Sequence, residues 1–266
     1  MDVKDTIAIV TGGANGIGKA ICQKLAAAGA AHVVVADLDV EQAEAVAESI
    51  QGSAQSCNVA VESDVQRLIE STLAEHGRID LFVANAGVTA KGGAEVSNED
   101  WQRLWDVNLM SHVYAARLLL PYMAEQGSGY WVSVASAAGL LTEIGSAAYS
   151  VTKHATVAFA EWMSVHYQRK GIGVSCVCPA GVATDFLNLD DPVHQFLHFS
   201  SVTPEQVADD VLSAIANEEF LVLPHPEVGE YFAYKGEDYE KWLKNFSRLE
   251  QKIERFAKKQ AEKKAA

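Results

Sequence analysis

The chain has 266 residues, 49% of them hydrophobic, and carries 35 Asp+Glu against 21 Lys+Arg, a formal net charge of -14. That length and apolar content build a full core without disulfide or metal staples and exclude a disordered or fibrous chain. The acidity sits in the body, where 11 basic face 29 acidic residues before Lys235, against ten basic and six acidic from Lys235 onward; a phosphate backbone is repelled, and nucleic acid is excluded as a partner.

Met1 to Asp5 carries no basic run leading into an apolar core, and no stretch reaches the ~20 apolar residues that span a bilayer, so no membrane association is expected. Short β-branched runs then alternate with longer segments of helical spacing, the pattern of βαβ units and of a parallel sheet covered on both faces. Strands are expected at Thr6 to Thr11, His32 to Ala36, Ala54 to Cys57, Ile79 to Ala84, Tyr130 to Ala135, Ile172 to Cys178 and Phe220 to Leu223. Between them, Ile17, Ile21 and Leu25 mark the first helix, Leu68, Ile69 and Leu73 the third, and Glu99 to Gln126 a long one. Asp39, Ser97 and Thr203 before Pro204 supply capping oxygens or a first-turn proline at helix starts.

Two segments break the alternation. Asp185 to Val202 is a long apolar connection placed where a lid over a site can sit. From Glu227 the chain reads as one or two helices, with Trp242, Phe246, Leu249, Ile253 and Phe256 at spacings of four, three, four and three, a stripe read as packing. With no repeat, linker or low-complexity tract, the expected organisation is α/β. A Rossmann-type, doubly wound, parallel seven-stranded sheet with helices on both faces spans 1–226, and a C-terminal helical extension, 227–266, packs on it or on a neighbouring subunit. The four cysteines, Cys22, Cys57, Cys176 and Cys178, form neither a disulfide framework nor a metal motif; they read as buried thiols of a cytoplasmic protein, and no metal site is expected.

Chemistry concentrates in four places. Thr11-Gly12-Gly13-Ala14-Asn15-Gly16-Ile17-Gly18 joins the first strand to the first helix, where glycines permit a tight turn and main-chain N–H groups can meet a pyrophosphate. Asp37 closes the second strand; its carboxylate can accept from the adenosine ribose hydroxyls and repels a 2′-phosphate, which favours NAD over NADP. Tyr149 and Lys153 stand four apart on one helix face, close enough for the cation to stabilise a phenolate. Bringing a phenol from its usual ~10 to neutrality takes about 4 kcal/mol, within reach of a partly desolvated pair. Ser136 ends the fifth strand, at the sheet edge where ligands bind; Ser133 is a decoy three residues earlier, and a serine nucleophile lacks its Gly-x-Ser-x-Gly elbow.

Thr11 to Gly18, Asp37, Asn85-Ala86-Gly87, Asn108, Ser136, Tyr149-x-x-x-Lys153 and Pro179-Ala180-Gly181-Val182-Ala183-Thr184 together resemble the short-chain dehydrogenases/reductases, in order over about residues 5 to 223. The resemblance implies Tyr149 as catalytic acid/base and Ser136 as partner of the substrate oxygen. It makes Lys153 the residue that lowers the Tyr149 pKa and holds the nicotinamide ribose, and Asn108 the support of a proton relay. It implies an NAD site of Gly12, Asn15, Gly16, Ile17 and Gly18 at the pyrophosphate, Asp37, Leu38, Asn58, Val59, Asn85, Ala86 and Gly87 on the adenosine side, and Pro179, Gly181, Val182 and Thr184 with Tyr149 and Lys153 at the nicotinamide. The sequence departs from the family where Asn58 replaces an Asp at the adenine, and where Pro224-His225-Pro226 and the helical tail replace a glycine-rich ending.

The implied activity is an NAD-dependent alcohol dehydrogenase or carbonyl reductase. No Lys or Arg occurs between Lys170 and Lys235, so the substrate region offers no clamp for phosphate or carboxylate. Ser136, Ala138, Leu140, Leu141, Glu143, Tyr149, Phe186 and Leu187 are the candidate substrate contacts, and with Phe196 and Phe199 they point to an apolar small-molecule alcohol or ketone, core packing being the alternative role of the apolar members. Glu143, His194 and His198 are candidates for touching a polar substituent. An NADPH-dependent ketoreductase is disfavoured by Asp37, and a non-catalytic NAD sensor by the presence of Ser136, Tyr149 and Lys153 together. The resemblance also implies a homodimer or homotetramer built through the helices near Asn98 to Gln126 and Ser146 to Lys170.

Overall fold

The computed structural model describes residues 1–184, 186 and 201–265. Its sheet is seven-stranded and parallel throughout, in the order β3-β2-β1-β4-β5-β6-β7. The strands are β1 (Ile7–Thr11), β2 (His32–Asp37), β3 (Ser53–Ser56), β4 (Leu81–Ala84), β5 (Gly129–Val134), β6 (Ile172–Val177) and β7 (Leu221–Val222), each within a few residues of its sequence expectation. Helices α1 (Gly16–Ala27), α2 (Val40–Ile50), α3 (Glu62–His76), α4 (Asn98–Trp105), α5 (Ser111–Gln126), α6 (Ala138–Leu141), α7 (Ala147–Tyr167) and α8 (Pro204–Asn217) fill the connections. After β7 come α9 (Pro226–Glu237) and α10 (Tyr239–Ala265), so the tail is two helices.

The inner strands are buried on both faces, which is why they read as unbroken apolar runs. Alternate residues feed two cores. Ile9, Phe82 and Trp131 pack with residues of α3, α5 and α7, while Val10, Val35, Val83 and Val132 pack with α1, α2 and α8. Asp39 accepts from the Gln42 N–H, Ser97 from the Asp100 N–H, and Thr203 forms a reciprocal capping box with Gln206 behind Pro204, so all three expected helix starts are made as the sequence implies.

The order reverses between β1 and β4, which run on to opposite halves of the sheet, and the crevice beyond their carboxyl ends is where a ligand has room. All four cysteines are free and buried; burial pushes the Cys22 thiol up to about 12 and Cys57 up to about 11, so both stay protonated at neutral pH. Among the described residues no helix is long and apolar enough to cross a membrane, and no cluster of three His, Cys, Asp or Glu side chains is arranged to hold a metal ion.

Candidate active site

One cavity of about 1350 Å³ opens along the carboxyl ends of the strands and continues under α9 and α10. At one end the glycine turn is held by β4: Asn85 Nδ2 donates to the carbonyls of Thr11 at 2.9 Å and Gly12 at 3.0 Å, and the Asn85 N–H donates to Thr11 Oγ1 at 3.1 Å. Gly12 has φ +64°, and a Cβ on Gly18 would stand 2.1 Å from the Gly12 carbonyl oxygen, so only glycine lets the turn close on the start of α1. Asn15 makes no side-chain capping bond, which leaves the first-turn N–H groups of α1 without a side-chain acceptor, as an anion site requires.

Asp37 ends β2 at the rim of the same space. Its carboxylate accepts the N–H of Ala14 at 3.0 Å and of Asp39 at 3.1 Å, so each oxygen is oriented and keeps a lone pair for a further donor. Gly12, Asn15, Gly16, Ile17, Asp37, Leu38, Asn58, Val59, Asn85, Ala86 and Gly87 all line this end. Gly18 lies behind it, with a packing role. Asn58 Oδ1, expected at an adenine amino group, already accepts the Ala60 N–H at 3.1 Å, leaving its second lone pair for that bond.

The reactive side chains stand where β5 and α7 meet. Ser136 lies two residues beyond β5, with Oγ accepting the Ala138 N–H at 3.1 Å and donating to the Pro179 carbonyl at 3.4 Å. Ser133 is separated from it by the pleat: its Oγ accepts from Trp131 Nε1 and meets His112 Nδ1 inside the core, so the decoy faces no ligand. Tyr149 and Lys153 are buried one turn apart on α7. Lys153 Nζ donates to the Val134 carbonyl at 2.9 Å and lies 5.7 Å from the Tyr149 ring centre.

Burial dominates the charge states of both groups. Burial pushes the phenol up, a hydrogen bond with Ser136 drawing it partly back. Burial also pushes the Lys153 ammonium down to about 8. The reason is geometric: Nζ is turned to a main-chain carbonyl, and desolvation of both groups outweighs their attraction.

Asn108 sits in a π-helical turn (Asp106–Met110) between α4 and α5, fully buried. Its Oδ1 accepts the Val88 N–H at 2.9 Å, its Nδ2 donates to the Val88 carbonyl and to Thr152 Oγ1, and its carbonyl accepts from Thr156 Oγ1 at 2.8 Å. It does not line the cavity; it pins the segment after β4 to the helix that carries Tyr149, as a positioning residue. Pro179, Val182 and Thr184 line the cavity and Gly181 does not.

Of the expected substrate contacts, Ser136, Ala138, Leu141, Glu143, Tyr149 and Phe186 line the cavity, and the Phe186 ring centre is 5.8 Å from that of Tyr149. Leu140 does not: its side chain is in the core, and only its carbonyl is engaged, by Lys235 Nζ at 2.6 Å. Leu187, Phe196, Phe199, His194 and His198, with most of the expected lid, lie outside the described residues. What the sequence reading missed is the tail, since Tyr231, Tyr234, Trp242, Phe246, Leu249 and Ile253 line the same space. The stripe at helical spacing was the available signal. His225 was missed as well; buried before α9, its Nδ1 accepts the Ala180 N–H at 3.2 Å and steadies the turn after β6.

Residues 6–192 match the family model of the short chain dehydrogenases. The chain is 33% identical to the 4-formylbenzenesulfonate dehydrogenase of Comamonas testosteroni over 81% of its length and 91% of that protein. It is 34% identical to a 3-oxoacyl-[acyl-carrier-protein] reductase of Synechocystis over 77% of its length and 87% of that protein. A short-chain dehydrogenase/reductase of Burkholderia phymatum, solved in complex with NAD, superposes with a TM-score of 0.83 at 27% identity, over 90% of this chain and 96% of that one.

Proposed function

The chain belongs to the short-chain dehydrogenase/reductase family of oxidoreductases, and from that premise we propose that it interconverts an apolar secondary alcohol and its ketone with NAD, Tyr149 serving as acid/base. The observation that carries this reading is the single cavity bordered by Asp37 at one end and by Ser136, Tyr149 and Lys153 at the other.

The residues present suit a dinucleotide. The α1 start without a side-chain cap and the turn closed by Gly12 and Gly18 suit a pyrophosphate, the two oriented oxygens of Asp37 suit a ribose diol, and Lys153 with Val182 and Thr184 borders the space for the nicotinamide end. A carboxylate at Asp37 disfavours a 2′-phosphate there, which is the argument for NAD over NADP. A bound nicotinamide supplies the hydride acceptor or donor.

Ser136 Oγ holds the substrate oxygen, and Tyr149 exchanges the proton at that oxygen. Because burial holds Tyr149 as a neutral phenol, the resting side chain is in the form that gives its proton to a carbonyl oxygen as it becomes a hydroxyl; in the opposite direction the phenol first releases its own proton to solvent, and the phenolate oxygen then takes the hydroxyl proton. Lys153, anchored at the Val134 carbonyl, keeps a cation or a hydrogen-bond donor beside the ring. Phe186 and Leu141 exclude water and make the substrate surroundings apolar.

Exposed Leu118, Val151, Trp162 and Val165 on α5 and α7 support a homo-oligomer built through those helices, and the four free, buried thiols suit a reducing, cytoplasmic setting. The test of function is NADH formation by the purified protein from a panel of apolar secondary alcohols, with NAD and NADP side by side. Turnover with NAD well above NADP is expected; equal or better turnover with NADP overturns the cofactor assignment.

A further inference from the structure

The cavity is larger than one small ligand needs. Ligand pockets reach about 1,000 Å³ at the upper end of their usual range, and this space, at about 1350 Å³, runs without a break from Asp37 to Ile253. A second body beside a dinucleotide therefore has room to be more than a few carbons across.

The far end is built by a helix whose stripe starts in the core, where Trp242 is buried and Phe246 packs against it, and continues beyond it through Leu249 and Ile253. Helix α10 packs chiefly on α9 rather than on the sheet domain, and its other faces are charged. Yet Trp242, Phe246, Leu249 and Ile253 fall on one stripe, and all four line the cavity. Trp242 is only 6% exposed; its ring stacks on Phe246 at 4.9 Å between centres and meets the edge of Tyr234 at 5.9 Å. This aromatic corner is tied to the reactive end, because Lys235 of α9 holds the carbonyl of Leu140 in α6, the short helix that follows Ser136.

One polar group is set into the wall. Asn245 Nδ2 donates to Tyr234 Oη at 2.9 Å, and Asn245 Oδ1 accepts from Arg248 at 3.4 Å. With its oxygen already accepting, the Tyr234 hydroxyl hydrogen is left to donate, so it matches an acceptor oxygen on a ligand. Among the described lining residues the only Lys or Arg side chains are Lys19, toward the nucleotide end, and Lys153, beside Tyr149; Arg248 and Lys241, which meet Asn245 and Tyr234, are not lining residues, so the wall presents no cationic lining side chain to clamp an anion.

We propose that the Trp242–Ile253 stripe of α10, with Tyr234 of α9, is the far wall of the substrate chamber and selects an extended, uncharged, apolar alcohol or ketone bearing a second oxygen distant from the reacting carbon. This rests on the oxidoreductase reading above. Two fused rings with a second keto group satisfy it, and a single unsubstituted ring does not reach the wall.

The experiment compares cyclohexanol, decalol and a keto-decalol as substrates of the full-length protein and of Trp242→Ala, Leu249→Ala and Tyr234→Phe. The wild type is expected to favour decalol over cyclohexanol at least tenfold in kcat/KM. Trp242→Ala and Leu249→Ala lower that ratio at least threefold, mainly through KM, and Tyr234→Phe lowers the preference for keto-decalol over decalol at least threefold. Leu249 is half-buried on an exposed helix and alanine is a strong helix former, so this variant keeps its fold where Trp242→Ala fails. A proportionate loss on every substrate, or no change in either ratio, overturns the wall. Calorimetric binding of decalone to Tyr149→Phe with NADH needs no turnover: weaker binding in the Leu249→Ala, Tyr149→Phe double variant supports the wall even if no alcohol is oxidised, in which case the redox reading alone fails. Decalone binding that is absent, or indifferent to Leu249→Ala, overturns the wall while leaving any observed turnover intact.

Discussion

At the Asp37 end of the cavity the site is shaped by main chain, through the glycine turn, the first turn of α1 and the ends of β1 and β4; at the end beyond Tyr149 it is shaped by side chains of α6, α7, α9 and α10. The first kind of site tolerates few residue types, because a Cβ in the wrong place closes the turn. The second can be assembled from many apolar residues in many ways. The same cavity therefore carries a strict constraint at one end and a loose one at the other, which suits a fixed cofactor and a substrate that differs among relatives.

The largest effect that can break this comparison concerns α6, where scaffold and wall are adjacent residues. Leu140→Ala is expected to cost about 2–5 kcal/mol of stability by leaving a core cavity, read as a fall in the denaturant midpoint, with substrate KM little changed in the folded protein. A normal midpoint with a raised KM would put Leu140 in the wall instead. Next, Gly18→Val forces a side chain against the Gly12 carbonyl, and NADH affinity should fall by about a hundredfold, on the order of 3 kcal/mol. Titration by NADH fluorescence reads this, and unchanged affinity removes the turn from the nucleotide site.

Asp37→Ala removes charge-assisted hydrogen bonds of about 1.5–3 kcal/mol. The ratio of kcat/KM for NAD over NADP should fall by roughly tenfold to a hundredfold; a ratio that stays put shows that another group sets the preference.

The smallest effect is in pH. Burial lowers the folded Lys153 to about 8 from an ordinary 10.5, so between these values the unfolded chain binds more protons than the folded one. Its contribution to stability is full above about 10.5 and is lost as pH falls toward about 8. Tyr149, raised by burial, acts with the opposite sign as pH climbs above its ordinary 10. Stability of the ligand-free protein should thus gain a positive slope with pH between about 8 and 10 that Lys153→Met abolishes, measured by denaturation in buffers of constant ionic strength. The same slope in the variant assigns it to other groups.

The sheet, the helix starts and the glycine turn were legible in the sequence because their signals are local. Strand runs, the capping residues Asp39, Ser97 and Thr203, and the glycine spacing each act on their own segment of chain. Choosing Ser136 over Ser133 required knowing where β5 ends, since one pleat separates a cavity-facing hydroxyl from one inside the core. Leu140 and Leu141 are indistinguishable by type and both join the core, and only the turn of α6 also brings Leu141 to the cavity. The tail stripe was visible but ambiguous, because apolar helical spacing is the same whether the face packs on protein or on a ligand. The charge states of Tyr149 and Lys153 depend on depth of burial, which a spacing of four residues does not specify.

The central claim is tested most directly by Tyr149→Phe, assayed for hydride transfer to or from decalol and decalone while NADH binding is followed by fluorescence. The account predicts a loss of about 10²–10⁴-fold in kcat with NADH affinity retained within a few fold. Turnover at the wild-type rate in that variant would contradict it.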